Sequence, residues 1–389
     1  MSFVKGILDL VVVTPTLQIV DSESADGGTL KIKTRKLPVF LMDEKGNSYI
    51  VKETAALSSE SLRGIARRRL ASATMNEIIK NSKGKKFNPR TVHLFIDGGL
   101  TNVNNVLTYE KEQEIRAKFP FFSVFGAGLS LSGKLVMQDA IPVVNVDGEW
   151  TYVTNVSTDE IPKYADFFNG KYSSAFFVAS TFNGQKDDIL SHSSYIFQFL
   201  AEEDVAEWEE QAFKNSQDRR TSVQEQKDKK NNKQGKKDDA PKDKDKKMTT
   251  QGIRSTEFIV PGTRLRTEIS VFEDIALSDA EKGCIALAAL EIVKQRRIGA
   301  NQRTNWGVYN AFLDFEVDNA KSSAYRTVNK SNFLLHTEDT QNYLNKLSGY
   351  VDAYWESVKK LTVDDVEELR ASLEKNKEEN NKNSVKEEE

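Results

Sequence analysis

The sequence predicts an α+β fold, a mixed antiparallel sheet with helices on one face. Three observations carry that expectation. Strand–helix–strand patterns occur twice, on either side of an interruption, which is the split βαβ order of a ferredoxin-like or RRM-like sheet. The clearest helix, 278–299, opens on a capping box formed by Ser278 and Glu281. The clearest strand, 306–317, alternates so that Tyr309, Ala311, Leu313, Phe315 and Val317 share one face.

In chain order, residues 3–20 read as a strand with Pro15 near its end. VDSESADGGTLKI (20–32) reads as a polar, glycine-containing loop, and LPVFLM (37–42) as a second strand. The stretch 58–80 reads as a helix capped by Ser58 or Ser59 and ended by Gly84 and Pro89. TVHLFI (91–96) reads as a strand followed by a turn, 108–119 as a short helix, and 121–144 as strand, glycine-rich turn, strand. From Trp150 to about Glu210 the pattern is mixed and suggests a hairpin and short helices. Residues 227–247 contain no apolar side chain larger than alanine or proline, so they bury too little to offset ordering entropy and are expected to be disordered. TEFIVPGTRLRTEISVFE (256–273) reads as two strands around a Pro-Gly turn. The helix 278–299 is expected to stop at Gly299, and a helix near 338–360 with an acidic tail completes the chain.

At 389 residues the chain fits two or three domains, or one elaborated domain with insertions. No run of 18 apolar residues exists, so no membrane span is expected, and the N-terminus lacks a small-residue cleavage site. A single cysteine, Cys284, excludes an internal disulfide and suits a reducing cytoplasm. His93, His192 and His336 have no metal-ligand spacing, and no cofactor is expected. The net charge of −3 hides segregation: Thr362 to Glu389 carries −5, whereas Lys227 to Lys247 carries +5.

The helix 58–80 places four arginines in the seven positions from Arg63 to Arg69. At 100° per residue, Leu62, Ile65, Ala66, Leu70 and Ala73 form the core stripe. Arg63 and Arg67 lie at its edge, Arg68 lies around the other side, and Arg69 points toward the stripe and needs a partner. Gly64 sits on the outer surface between Arg67 and Arg68. Glycine costs a helix interior roughly 1 kcal/mol against alanine, which close approach of a phosphate or a second backbone would justify. A solvated basic face paired with acids elsewhere would explain the same arginines. GLSLSGKL (128–135) fits a phosphate-loop spacing, but Leu135 stands where a metal-binding hydroxyl belongs and a strand-like stretch follows, so a hairpin turn is expected. In RRIGANQRTNWG (296–307), Arg297, Asn301 and Arg303 stand on or beside a glycine-containing loop able to face an anion.

Four stretches, in this order, resemble the helical-backbone subunit of the RAMP superfamily of CRISPR effector proteins. LSSESLRGIARR (57–68) is similar to that family's Ser-x-x-Leu-Arg-Gly-x-x-Arg-Arg helix, and VFGAGLSLSGKLVMQDAIPV (124–143) to its Phe-Gly, spacer, strand and Asp-Ala turn. TEFIVPGTRLRTEISV (256–271) is similar to its strand pair, and IGANQRTNWGVY (298–309) to a degenerate glycine-rich loop before the last strand. The helix looks more like type IV and type III subunits than type I, with type IV the first choice. The resemblance implies an RRM-like palm of residues 1–145 and 248–320, with finger insertions in the first part. It also implies a thumb-like insertion at 146–226, followed by the lysine-rich loop at 227–247; the residues themselves give a C-terminal helical segment (321–375) and an acidic tail (376–389), which the resemblance does not cover. It implies copies stacked along a CRISPR guide RNA (crRNA), with other effector subunits and a base-paired target as partners. Arg63, Gly64, Arg67, Arg68, Arg219, Arg220, Arg297, Asn301 and Arg303 become the RNA-binding candidates.

The departure concerns catalysis. Type III relatives cut target RNA with an aspartate after a His-(I/V)-Gly-(S/T)-Gly stretch. Here the corresponding place reads TPTLQIVDSESADGG, without the histidine and first glycine, while Asp21 and Asp26 remain as candidate carboxylates. A noncatalytic guide-RNA scaffold is expected; the alternative is the same scaffold with metal-dependent ribonuclease activity. A general RRM-like RNA binder is a third, distant reading, and no strand carries the aromatic pattern it would need.

Overall fold

The fold is described from a computed structural model covering residues 3–25, 29–42, 48–98, 107–128, 130–153, 175–184, 253–272, 275–300, 306–329 and 336–374. The stretch read as one strand over 3–20 divides into β1 (Val4–Val12) and the start of β2 (Ile19–Ala25). Pro15, which has no N–H for a ladder, lies at the break. The polar stretch read as a loop is largely strand, β2 and β3 (Thr29–Thr34). Its residues lack apolar alternation, so pairing with neighbouring strands, not local pattern, makes it extended. β4 (Lys36–Met42) pairs antiparallel with β5 (Ser48–Ala55), the latter with no counterpart in the sequence reading.

The arginine helix is α1 (Ser59–Asn81), and Ser58 is its N-cap. TVHLFI is a helix rather than a strand: α2 runs Pro89–Asp97, capped by Asn88, with proline in its first turn and Gly98 left-handed at its end. Its β-branched and aromatic content mimics a strand, but Thr91, Leu94 and Phe95 are buried at helical spacing. After α3 (Tyr109–Lys118), FFSVF also turns out helical, as α4 (Pro120–Phe125). Every residue of α4 is buried, and a fully buried run has no period by which to tell helix from strand.

β6 (Leu135–Met137), β7 (Ile141–Val146) and β8 (Glu149–Tyr152) follow, with Asp147 and Gly148 at positive φ in the two-residue turn between β7 and β8. β9 (Ala175–Phe176) runs parallel to β5. β10 (Val178–Gly184) and β11 (Ile253–Ile259) join β3 and β2 in a four-stranded sheet ordered β10-β11-β3-β2. β12 (Arg264–Val271) starts after the Pro-Gly turn but lies in the main sheet, so the two strands read around that turn belong to separate sheets.

α5 (Asp279–Lys294) has the expected capping box in full. It ends five residues before Gly299, which lies at φ +85 in the following loop. β13 (Tyr309–Val317) buries all five residues assigned to its inner face. The segment read as helical from 321 begins instead with β14 (Ala320–Val328) and β15 (His336–Asp339). Then come α6 (Gln341–Lys346), α7 (Ser348–Lys359) and α8 (Val363–Glu374).

The main sheet is ordered β15-β14-β13-β1-β12-β7-β8, with β6 also paired to β12. Its centre bears out the α+β expectation. β1–α1–β6/β7 and β12–α5–β13 are the two strand–helix–strand halves, and they interleave antiparallel as β13-β1-β12-β6/β7. Leu8 and Leu10, Leu265 and Ile269, and Leu313 and Phe315 form the buried face. α5 packs there against β13, α1 and α7, and is buried from Glu281 to Leu290. Gly283 permits the last of these contacts, because a Cβ would strike the carbonyl of Tyr350. On the opposite face Arg266 forms a two-point pair with Asp9 (2.7 and 2.9 Å), and Arg264 stacks on Trp150 at 4.2 Å.

The chain divides into two compact units, Met1–Ser22 with Ile32–Ser180 and Glu257–Glu389, and Glu23–Lys31 with Thr181–Thr256. Among the described residues, no helix is long and apolar enough to cross a membrane. The expected lysine-rich loop, the acidic tail and most of the thumb-like insertion lie outside the described residues.

Candidate functional site

The N-terminus of α1 is closed. Ser58 Oγ accepts from Ser61 N, the Ser58 N–H donates to Gln18 Oε1 (2.6 Å), and the Ser59 N–H donates to Asp139 Oδ1 (2.8 Å). Burial works to raise the Asp139 carboxyl, but the Ser59 N–H and Arg35 (2.7 Å) outweigh it and hold the group below the usual carboxylate range. An anion would therefore find the first-turn N–H groups of Ser58, Ser59 and Ser61 already engaged. Asp139 belongs to the Asp-Ala turn singled out in the sequence, whereas nothing in the sequence pointed to Gln18.

The next turn of α1 faces carbonyls. Arg67 is only 8% exposed, and its guanidinium donates to Phe95 O (2.7 Å), Leu94 O (2.7 Å), Phe125 O (3.0 Å) and Gly126 O (3.0 Å). These are the orphan carbonyls at the C-terminal ends of α2 and α4, so one cation satisfies two helix ends. Arg63 reaches the same Phe125 O at 2.7 Å. Burial and, after it, the neighbouring Arg63 lower Arg67 to about 10, with Asp97 working against the shift. Burial lowers Arg63 as well, and Glu60 partly offsets it. Gly126 makes the geometry possible: it sits at φ +82, and a Cβ there would lie 2.7 Å from Leu131 O.

The apolar stripe is consequently turned from the expected one. Arg67 is buried and Ala73 is exposed, and the buried set is Leu62, Ala66, Arg67, Leu70, Ala71, Thr74 and Ile78. Arg69 does find a partner, donating to Glu291 Oε2 (2.8 Å) and Gln295 Oε1 (3.0 Å) on α5. Arg68 is exposed, and its side chain makes no hydrogen bond or ion pair among the described residues. Its guanidinium folds over Gly64, where a Cβ would stand 3.1 Å from Nη1. Gly64 thus leaves room for the Arg68 guanidinium, which a larger residue would displace.

The phosphate-loop spacing leads to no phosphate cradle. Lys134 donates to Glu281 Oε1 (2.6 Å) and Ala276 O (3.1 Å), and β6 follows in place of a helix. Glu281 is itself buried and also accepts from Ser123 Oγ (2.5 Å) and Ser278 N (2.8 Å). A second buried cation absent from the sequence reading is Arg326, 1% exposed, which donates to Val293 O and Tyr309 O. Its signal was hidden because β14 shows no apolar run to frame it.

Arg297 lies on a β-bridge to Val308 just beyond α5. Asp21 lies in β2, and Asp26, Arg219, Arg220, Asn301 and Arg303 fall outside the described residues. Among the described residues, no group of three His, Cys, Asp or Glu side chains is placed to hold a metal ion.

No protein-family model matches the chain, and no curated protein matches it. Among solved structures the chain is similar to a chain of a Type IV-B CRISPR Complex, at 13% identity and a TM-score of 0.41, over 79% of this chain and 90% of that one. At that identity and TM-score the likeness is remote.

Proposed function

We propose that this protein is a noncatalytic guide-RNA-binding backbone subunit of a CRISPR effector complex, with type IV the first choice of type. Copies stack along the guide RNA and present it, with other effector subunits, for base pairing to a target nucleic acid. One observation carries the reading. Two of the four stretches that resemble the backbone family are joined in one hydrogen-bonded unit: Arg63 and Arg67 of the helix hold the Phe125-Gly126 carbonyls, and Asp139 of the Asp-Ala turn caps the same helix. Motifs that fit together in space belong to one construction, here built on an RRM-like sheet. Because Arg63 and Arg67 are engaged internally, the phosphate contact on α1 falls to Arg68, beside the open surface at Gly64. Sequence would then be read by base pairing, with the protein holding backbone and shape.

Arg68→Ala is expected to weaken binding of all RNA sequences alike and to reduce the slope of log K against log salt by about 0.7. Fluorescence titration at several salt concentrations checks this; an unchanged affinity and slope would leave the helix a solvated face. Sequencing the RNA that co-purifies from the native locus tests the class: uniform small RNAs sharing a repeat-derived end are expected, and a random cellular sample would overturn it.

The guide-loaded complex is expected not to cut complementary RNA with Mg²⁺ or Mn²⁺ present. Cleavage needs a carboxylate held at the scissile phosphate and an attacking hydroxyl in line. Asp21 and Asp26 supply carboxylates, but the glycine turn of the cleaving relatives is unmatched around them. Regularly spaced cuts that vanish in Asp21→Ala or Asp26→Ala would make the protein a nuclease.

A further inference from the structure

We propose that the loop joining α1 to α2 is a second contact for nucleic-acid phosphates, separate from Arg68. From Ile78 to Ile96 the chain carries Lys80, Lys83, Lys85, Lys86 and Arg90 and no acid. All five cations are exposed. The thirteen residues of α1 from Arg68 to Asn81 rise about 20 Å, so one phosphate cannot serve both places.

The loop is held firmly. Asn81 Nδ2 donates to Val358 O (3.3 Å) and Leu361 O (3.4 Å) at the end of α7. Ser82 Oγ accepts from Val363 N (2.8 Å), Lys85 pairs with Asp364, and Asn88 N donates to Glu367 Oε1 (2.7 Å) on α8. The tight turn is completed by Lys83 and Gly84, both at positive φ. Lys80 has its own partner in Glu77 (3.1 Å). The side chains of Lys83 and Lys86 have no hydrogen bond or ion pair among the described residues. Lys80 and Lys83 lie where a helix dipole favours cations, but Lys86 lies beyond that turn. The result is a fixed platform presenting two unpaired ammonium groups, with Lys360 exposed at the adjoining end of α7. A polyanion meeting such a platform loses little ordering entropy on the protein side. Two ammonium point charges suit backbone phosphates without base selection.

That the polyanion is RNA rests on the function proposed above; the site itself does not depend on Arg68. The test titrates a labelled single-stranded RNA of mixed sequence into the unchanged chain, Lys83→Gln/Lys86→Gln and Arg68→Ala, at several salt concentrations. The lysine pair is expected to reduce the salt slope by about 1.4, two charges at about 0.7 each, for every RNA sequence. The same change with Arg68→Ala silent would support this site and remove the Arg68 contact. An effect from Arg68→Ala with the lysine pair silent would overturn this site and leave the Arg68 contact standing. Silence in both variants would overturn both. The charge-reversed pair, Lys83→Glu/Lys86→Glu, should weaken binding further than the neutral pair, and equal binding by the two would also overturn the proposal.

Discussion

Arg67→Ala is expected to destabilise the fold by about 4 kcal/mol, with no change in the slope of unfolding free energy against urea. Leu94 and Phe95 lie in the last turn of α2, Phe125 and its C-cap Gly126 close α4, and each accepts from the one buried guanidinium. Removing the donor leaves the Leu94, Phe95 and Gly126 carbonyls without it, at about 1–3 kcal/mol each, discounted by relaxation and by water that enters the space, while Phe125 O keeps Arg63. The lost contacts with the rings of Phe121 and Phe125, 5.8 and 5.9 Å from the guanidinium carbon, add to this. Arg67→Lys is expected to recover only part, because one ammonium cannot reach both helix ends. The folded value near 10 lies below that of the unfolded chain, so the cost of burying the charge is constant below it and is relieved only above it. The difference between the two proteins should therefore be flat from about pH 5 to 9. Urea titrations of both proteins check the size, and a loss under about 1 kcal/mol would mean that water serves those carbonyls equally well.

Glu281→Ala is expected to cost about 3–5 kcal/mol, the usual penalty for breaking a buried pair from one side. The Lys134 ammonium, its side chain 12% exposed, would lose its anion, and Ser123 and the Ser278 N–H would lose their acceptor. Burial raises the Glu281 carboxyl, but Lys134, Ser123 and the Ser278 N–H outweigh it and bring the group below its ordinary value. A carboxylate lowered in the folded state contributes stability above its unfolded pKa and loses that contribution as pH falls through the folded one. The gap between wild type and Glu281→Gln should therefore close below about pH 4. Thermal melts across that range check it, and a gap of constant size would show that the carboxylate charge plays no part.

Much of the frame was legible in the sequence. Ser278 and Glu281 announced the start of α5, and the alternation from Tyr309 to Val317 announced the inner face of β13, because each signal is local and survives any tertiary context. The helix around Arg63–Arg69 was equally plain, as was the need of Arg69 for a partner. α2 and α4 were not legible: β-branched and aromatic residues in TVHLFI, and complete burial of FFSVF, imitate strands. β2 and β3 were missed for the opposite reason, since their extended form is imposed by neighbouring strands across a polar stretch.

The sequence by itself determined the two strand–helix–strand halves, and with them an RRM-like sheet, and it determined where the arginines cluster. Only the tertiary structure decided which arginine faces inward. A helical period ranks positions by apolarity and would leave Arg67 at an edge, but a helix end presents carbonyls that no apolar side chain can satisfy. With α2 and α4 ending at Arg67, α1 turns so that this cation is buried against them, Ala73 is exposed, and Arg68 remains beside Gly64 as the outward charge.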